Sequence, residues 1–186
     1  MTLRQRFSAL LVLASLTMVG CYLPEGTKKI TGGTGKSLEA GSGLANGEGG
    51  DTVISATVSL TLGDNLELEE GVRLATGKVD LVDQGRNVHV NSDIEVSFYQ
   101  DAPIEDFPVL GLSYFGKCTY QVKGGKPQPG FVYGFLAAVE SESGEKPLKL
   151  LVMSVFDTND DFVYGANAIF DHGSFVFHNK NGQPVK

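Results

Sequence analysis

The chain has 186 residues, with 15 basic and 22 acidic side chains, a formal charge of −7, two Cys and no Trp. That length suits a single folded domain once a leader is removed. The acidic balance argues against a nucleic-acid-binding surface.

Arg4 and Arg6 precede the apolar run FSALLVLASLTMVG, Phe7 to Gly20. A basic start, a short apolar stretch and small residues at its end form the pattern of a secretory signal peptide. The run is about 14 residues, shorter than the roughly 20 that a membrane-spanning helix needs, which predicts a removable leader over 1–20. Met18-Val19-Gly20-Cys21 resembles the lipobox of bacterial lipoproteins, with Met where Leu is usual. The resemblance implies cleavage before Cys21 and its acylation with palmitate-type chains. Each buried acyl CH2 contributes about 0.8 kcal/mol, and one chain alone binds marginally; more than one chain makes attachment durable. Tyr22 stands where an Asp often favours inner-membrane retention, so the resemblance points to the outer membrane, facing periplasm or exterior. Loss of Arg4 and Arg6 with the leader takes the charge to −9.

The stretch Pro24 to Gly50, PEGTKKITGGTGKSLEAGSGLANGEGG, is dominated by Gly, Ser, Thr and charge. By composition it buries too little apolar surface to offset its ordering entropy, so residues 21–50 are expected to be a lipidated Cys followed by a disordered linker. A coil of that composition reaches about 30 Å. Within it, Thr31 to Ser37 reads TGGTGKS, close to the phosphate-binding pattern G-x-x-x-x-G-K-[ST]. Ile30 occupies the first glycine position, and neither a buried strand before nor a helix after is legible. No nucleotide is expected there.

Residues 51–186 are expected to form one all-β domain, an antiparallel sandwich or barrel of about 8–10 strands behind the Gly-rich tether. Val53 to Leu62 alternates apolar and polar residues, as do Ile94 to Tyr99. Val72 to Val82 predicts one or two strands, and Val88-His89-Val90 a further arm. After the loop DAPIEDFP, strands are expected at Val109–Val122, Phe131–Val139, Leu148–Phe156, Phe162–Phe170 and Phe175–His178, separated mostly by Gly, Asn, Asp or Pro turns. Asp64 to Leu74 is the only helix candidate, interrupted by Gly71.

Two of these strands are apolar on both faces. Leu148, Leu150, Val152 and Phe156 oppose Leu151, Met153 and Val155; Phe131, Tyr133 and Phe135 oppose Val132 and Leu136. A sheet covered on one side normally turns polar residues outward. Two-sided apolarity therefore asks for a second layer: other strands or loops, or a partner, a ligand or a second copy. A short echo, FVYGFLA from Phe131 and FVYGANA from Phe162, places glycines at 134 and 165 where close backbone approach is expected. It also raises Tyr133 and Tyr164 as candidate binding residues lining a pocket side by side.

Catalytic chemistry is thin. Cys118 shares strand parity with Leu112, Tyr114, Tyr120 and Val122, which predicts a buried thiol acting as a small apolar residue. Asp157, Asn159 and Asp161 begin like a calcium loop, but Phe162 and Ala168 stand where glycine and glutamate belong; a solvated turn is expected, with an irregular calcium site as the rival. His89, His172 and His178 are scattered, so no metal is expected. Ser143 to Lys146 matches S-x-x-K without its partner motifs, and Glu105-Asp106 reads as surface charge. No cofactor and no catalytic residue are expected. The leading expectation is a lipid-anchored, non-catalytic envelope domain that binds another protein or copies of itself. The alternatives are a barrel carrying a small apolar ligand and a hydrolase assembled from distant residues.

Overall fold

In the computed structural model of the chain, residues 21–22, 26–33, 36–65, 72–98, 109–139, 148–170 and 176–184 are described below. The leader, Glu105-Asp106, Ser143–Lys146 and His172 lie outside them. Every regular element is a strand: β1 (Cys21–Tyr22), β2 (Lys29–Gly33), β3 (Glu39–Leu44), β4 (Gly49–Asp51), β5 (Ile54–Asn65), β6 (Val72–Asp83), β7 (Val88–Phe98), β8 (Val109–Val122), β9 (Gln128–Val139), β10 (Leu148–Asp157), β11 (Phe162–Phe170) and β12 (Val176–His178). The period-two pattern produces the expected all-β chain, and β8 and β11 occupy the expected ranges. Val72 to Val82 is one strand, and the arms at 88–90 and 94–98 fuse into β7.

Consecutive strands from β5 to β11 pair antiparallel as a meander. The remaining pairings close the ring. Lys29–Gly33 of β2 pair with β5 on one flank and with β12 on the other. Glu39–Leu44 of β3 pair with β11 on one flank, and Gly41–Gly43 pair with β4 on the other. Between them, Ser37 N–H donates to Ile54 O and Leu38 N–H to Ile169 O, each at 2.8 Å. The segments β2–β3, β4–β5 and β11–β12 thus each act as one bent stave. With β6 to β10 they make an eight-stave antiparallel barrel, in which β12 and β4 end the strand order and are each paired on one flank among the described residues.

This overturns the expectation of a disordered linker through residue 50 and a domain starting at 51. Within the glycine-rich stretch Lys29–Gly33, Glu39–Leu44 and Gly49–Asp51 are wall, and Thr31–Gly33 of the phosphate-loop look-alike belong to strand β2. The physical reason is that barrel closure supplies a backbone partner on both flanks, which outweighs the low strand preference of glycine. Inward positions need only one apolar residue in two, and Ile30, Ala40 and Leu44 supply them at 1%, 7% and 8% exposure.

The barrel has two unlike ends. At one, the staves are joined by the short turns 45–48, 84–87, 123–127 and 158–161, with Asn87, Lys123 and Asp160 in the left-handed region. At the other, β5, β7 and β9 end and β6, β8 and β10 begin, together with β1 and the 179–182 turn. These are called the turn end and the loop end. β1 runs parallel to the start of β8, Cys21 opposite Val109.

An eight-stranded barrel is just wide enough for side chains to fill it. Ile54, Leu60, Val79, Leu81, Val88, Leu112, Tyr114, Val132, Leu151, Met153, Val155, Tyr164 and Phe170 point inward with 0–1% exposure. Gly134 makes room for one of them. A Cβ there would stand 2.2 Å from the Tyr114 hydroxyl, which donates to Val152 O at 3.2 Å.

Candidate functional site: the outer wall

Among the described residues the interior concentrates its polar chemistry at the turn end. Asp83 closes β6 with its side chain fully buried. Its carboxylate accepts hydrogen bonds from the Ser42 and Thr52 hydroxyls, from Arg86 N–H at 3.1 Å and from the Tyr164 hydroxyl at 3.1 Å. Arg86 donates onward to Ser42 Oγ (2.7 Å) and Gly50 O (3.0 Å). Burial pushes the Asp83 carboxyl up, but the donors outweigh it and hold it below the usual carboxylate range. Burial, then the Asp83 charge, pushes the Tyr164 hydroxyl up, so it stays a donor. Every acceptor site of Asp83 faces a protein donor. The cluster fastens the β3–β4 hairpin and β11 to the β6–β7 turn, and that is a structural role.

Tyr133 and Tyr164 do not line a common pocket. Tyr164 is inside and fully buried, while Tyr133 lies half-buried on the outer wall. Their strands are not neighbours: β10 lies between them, with Ser154 beside Tyr133 and Val155 beside Tyr164. Consecutive residues of β10 point to opposite faces, so the echoed motif is used in opposite senses. Its glycines each admit a ring, Gly134 inside under Tyr114 and Gly165 outside under Phe162.

Asp157 uses its carboxylate within its own hairpin. Asn159 N–H and Asp161 N–H donate to Oδ1 at 2.7 and 3.0 Å, and these backbone donors hold its pKa low. The geometry is that of the expected turn. Among the described residues no cluster of three His, Cys, Asp or Glu could hold a metal ion. Cys118 is inward and 7% exposed, and burial pushes its thiol up to about 12. His89 is exposed on β7. His178 Nε2 meets Thr31 Oγ1 at 2.8 Å, and its Nδ1 faces Gly182 O at 3.2 Å. That hydroxyl–imidazole contact, missed by sequence reading, spans the β2–β12 pairing on the outer wall. Among the described residues no acidic partner orients the imidazole, and the contact staples the two strands at the barrel's seam.

The distinguishing feature is the outside of the wall, which divides in two. Over β5–β7 the described outward residues are mostly polar, among them Ser55, Thr57, Ser59, Thr61, Thr76, Lys78, Asp80, His89, Asn91, Asp93 and Glu95. Val82 and the 52% exposed Leu74 are apolar exceptions, and Val96 stands in register between Leu74 and Phe115. Over β8–β11 the outward side chains form cross-strand rows of a different kind. Phe115 pairs with Tyr133, and Tyr133 with Ser154; Phe135 pairs with Val152, and Val152 with Asn167; Leu150 pairs with Ile169; Phe131 pairs with Phe156, and Phe156 with Phe162. Phe115 and Phe131 stack with ring centroids 6.1 Å apart, and Phe156 and Phe162 meet edge-on at 6.0 Å. Phe162 is 43% exposed, and the other rings are half-buried by one another. Lys117 is the only charged side chain among the outward strand positions described on this half, and none is a carboxylate. Beside Phe162 the wall drops to a shallow open groove of about 440 Å³ where Gly41, Gly43 and Gly165 leave the backbone bare, with Asp51 and Asn167 along it. Comparison with family models, characterised proteins and solved structures found no match to the chain.

Proposed function

We propose that the protein is a lipid-anchored, non-catalytic barrel of the cell envelope that binds a protein partner through the aromatic outer wall of β8–β11. One observation carries this reading: an acidic protein keeps carboxylates off one half of its wall and places there Phe115, Phe131, Tyr133, Phe135, Phe156 and Phe162. Aromatic side chains with few charges are the composition of interface cores. The filled interior favours action from the outside and gives the carrier reading no support among the described residues. The anchor rests on the basic leader and the Met18–Cys21 resemblance.

The test is co-purification from gently solubilised envelopes, comparing the wild type with a Tyr133→Lys, Phe135→Lys double variant. Both residues are half-buried on the outer face, so the barrel tolerates the change and the contact does not. The proposal expects a stoichiometric partner with the wild type and its loss with a folded variant. Identical profiles from both proteins would overturn it.

A further inference from the structure

We infer that the barrel has no spacer and sits with its loop end directly against the lipid surface that holds Cys21, its turn end facing away. The inference rests on the anchoring reading above and goes beyond it to the orientation of the molecule. Three observations carry it. Cys21–Tyr22 pair with Val109–Leu110 at the start of β8, on the loop-end rim. The chain is fastened again by Thr27, which is 2% exposed, and by Lys28, whose N–H donates to His178 O at 2.8 Å. β2 begins at Lys29, eight positions after Cys21.

Around the ring, β8 lies four staves from β2–β3 in either direction, so the two points of attachment are on opposite sides of the loop-end mouth. Eight strands about 4.8 Å apart and tilted by about 40° enclose a diameter of roughly 16 Å. Eight residues reach at most about 27 Å. Eight positions thus suffice to join the two sides of the mouth, and the pairing of Cys21 with Val109 holds the anchor itself at the rim. A free tether of residues 21–50 would instead have held it about 30 Å off. Acyl chains on Cys21 thus enter the bilayer at the rim itself. Lys28, Lys29 and Lys180 belong to this end, but the sequences 66–71, 99–108 and 140–147 that link its strands hold more Glu and Asp than Lys. Contact is enforced by the covalent anchor rather than by charge, and so survives high salt. In this pose the aromatic wall runs perpendicular to the membrane, open to a partner from the side.

The absence of Trp makes the test clean. Single-Trp variants of the acylated full chain, Lys180→Trp at the loop end and Lys126→Trp at the turn end, are placed in phosphatidylethanolamine–phosphatidylglycerol vesicles containing a dansyl-headgroup lipid. Both sites are exposed turn positions. A stave of twelve residues, tilted, separates them by about 30 Å along the axis, so energy transfer to the lipid should be at least about threefold higher for Lys180→Trp, unchanged in 0.5 M salt. A Gly-Ser insert of roughly 20 residues between Cys21 and Tyr22, which separates the acylated residue from the rim, should abolish the difference. Equal transfer from both variants without the insert, or stronger transfer from Lys126→Trp, overturns the orientation while leaving the anchor intact. Failure of the protein to float with vesicles overturns both.

Discussion

Replacing Asp83 tests the architecture where the barrel is most dependent on one group. Its carboxylate collects four donors from three separate parts of the chain, and Arg86 Nη1 stands 3.9 Å away. Hydrogen bonds to a charged group contribute about 1.5–3 kcal/mol each, and removing one member of a buried pair costs about 3–5 kcal/mol. These terms overlap, since the same donors would be stranded in either description. Asp83→Ala should therefore cost about 3–5 kcal/mol. Asp83→Asn, which keeps one acceptor oxygen and loses the charge, should cost about half that. In thermal unfolding the alanine variant should melt about 8–16 °C lower. Urea unfolding across pH separates the charge from the packing. The native pKa lies below the ordinary carboxylate value, so the contribution is fully present above about pH 4. It is lost as pH falls through the native value. The gap between wild type and Asp83→Asn should be flat from pH 5 to 8 and narrow in acid. A cost for Asp83→Ala below about 1 kcal/mol, or a gap undiminished at pH 2, would refute the reasoning.

Further expectations concern single sites. Gly77 has φ of +141°, and a Cβ there would lie 1.9 Å from Ser59 O; Gly77→Ala should cost more than about 2 kcal/mol by urea unfolding. Cys118, with its thiol near 12, should resist iodoacetamide at pH 8 in the native protein and react fully in 6 M guanidinium, as counted by mass spectrometry. Ser97 Oγ is buried without a hydrogen-bond partner among the described residues. Ser97→Ala should be neutral or stabilising by up to about 1 kcal/mol, because it removes a desolvated hydroxyl.

The strands from β5 to β12 were legible because each carries an apolar residue at every second position, and turn residues mark most of their ends. Glycine hid β2, β3 and β4. Their buried apolar residues are only Ile30, Ala40 and Leu44, and Gly41 and Gly43 occupy outward positions where a strand normally shows a side chain. Composition then reads as linker, although the even spacing of Ile30, Ala40 and Leu44 was a usable signal. The two-sided apolarity of β9 and β10 was also legible, and the outer aromatic rows are its consequence. The rows themselves needed strand order and register, which bring Phe115 beside Tyr133 and Phe131 beside Phe156. The placement of Tyr164 was not legible either. A bulge between Val155 and Phe156 puts Phe162 outside and Tyr164 inside, so two identical FVYG motifs present their tyrosines to opposite faces. The Asp83 cluster joins residues up to 81 positions apart and leaves no local pattern.

The most direct test of the account is photo-crosslinking in living cells, with p-benzoylphenylalanine at position 133 on the aromatic wall and, in a second strain, at position 89 on the polar wall. Both sites face outward, half-buried and exposed respectively. The account predicts a discrete protein adduct from position 133 and none from position 89. Adducts of equal yield from both positions, or none from position 133 in protein that fractionates with the envelope, would contradict it.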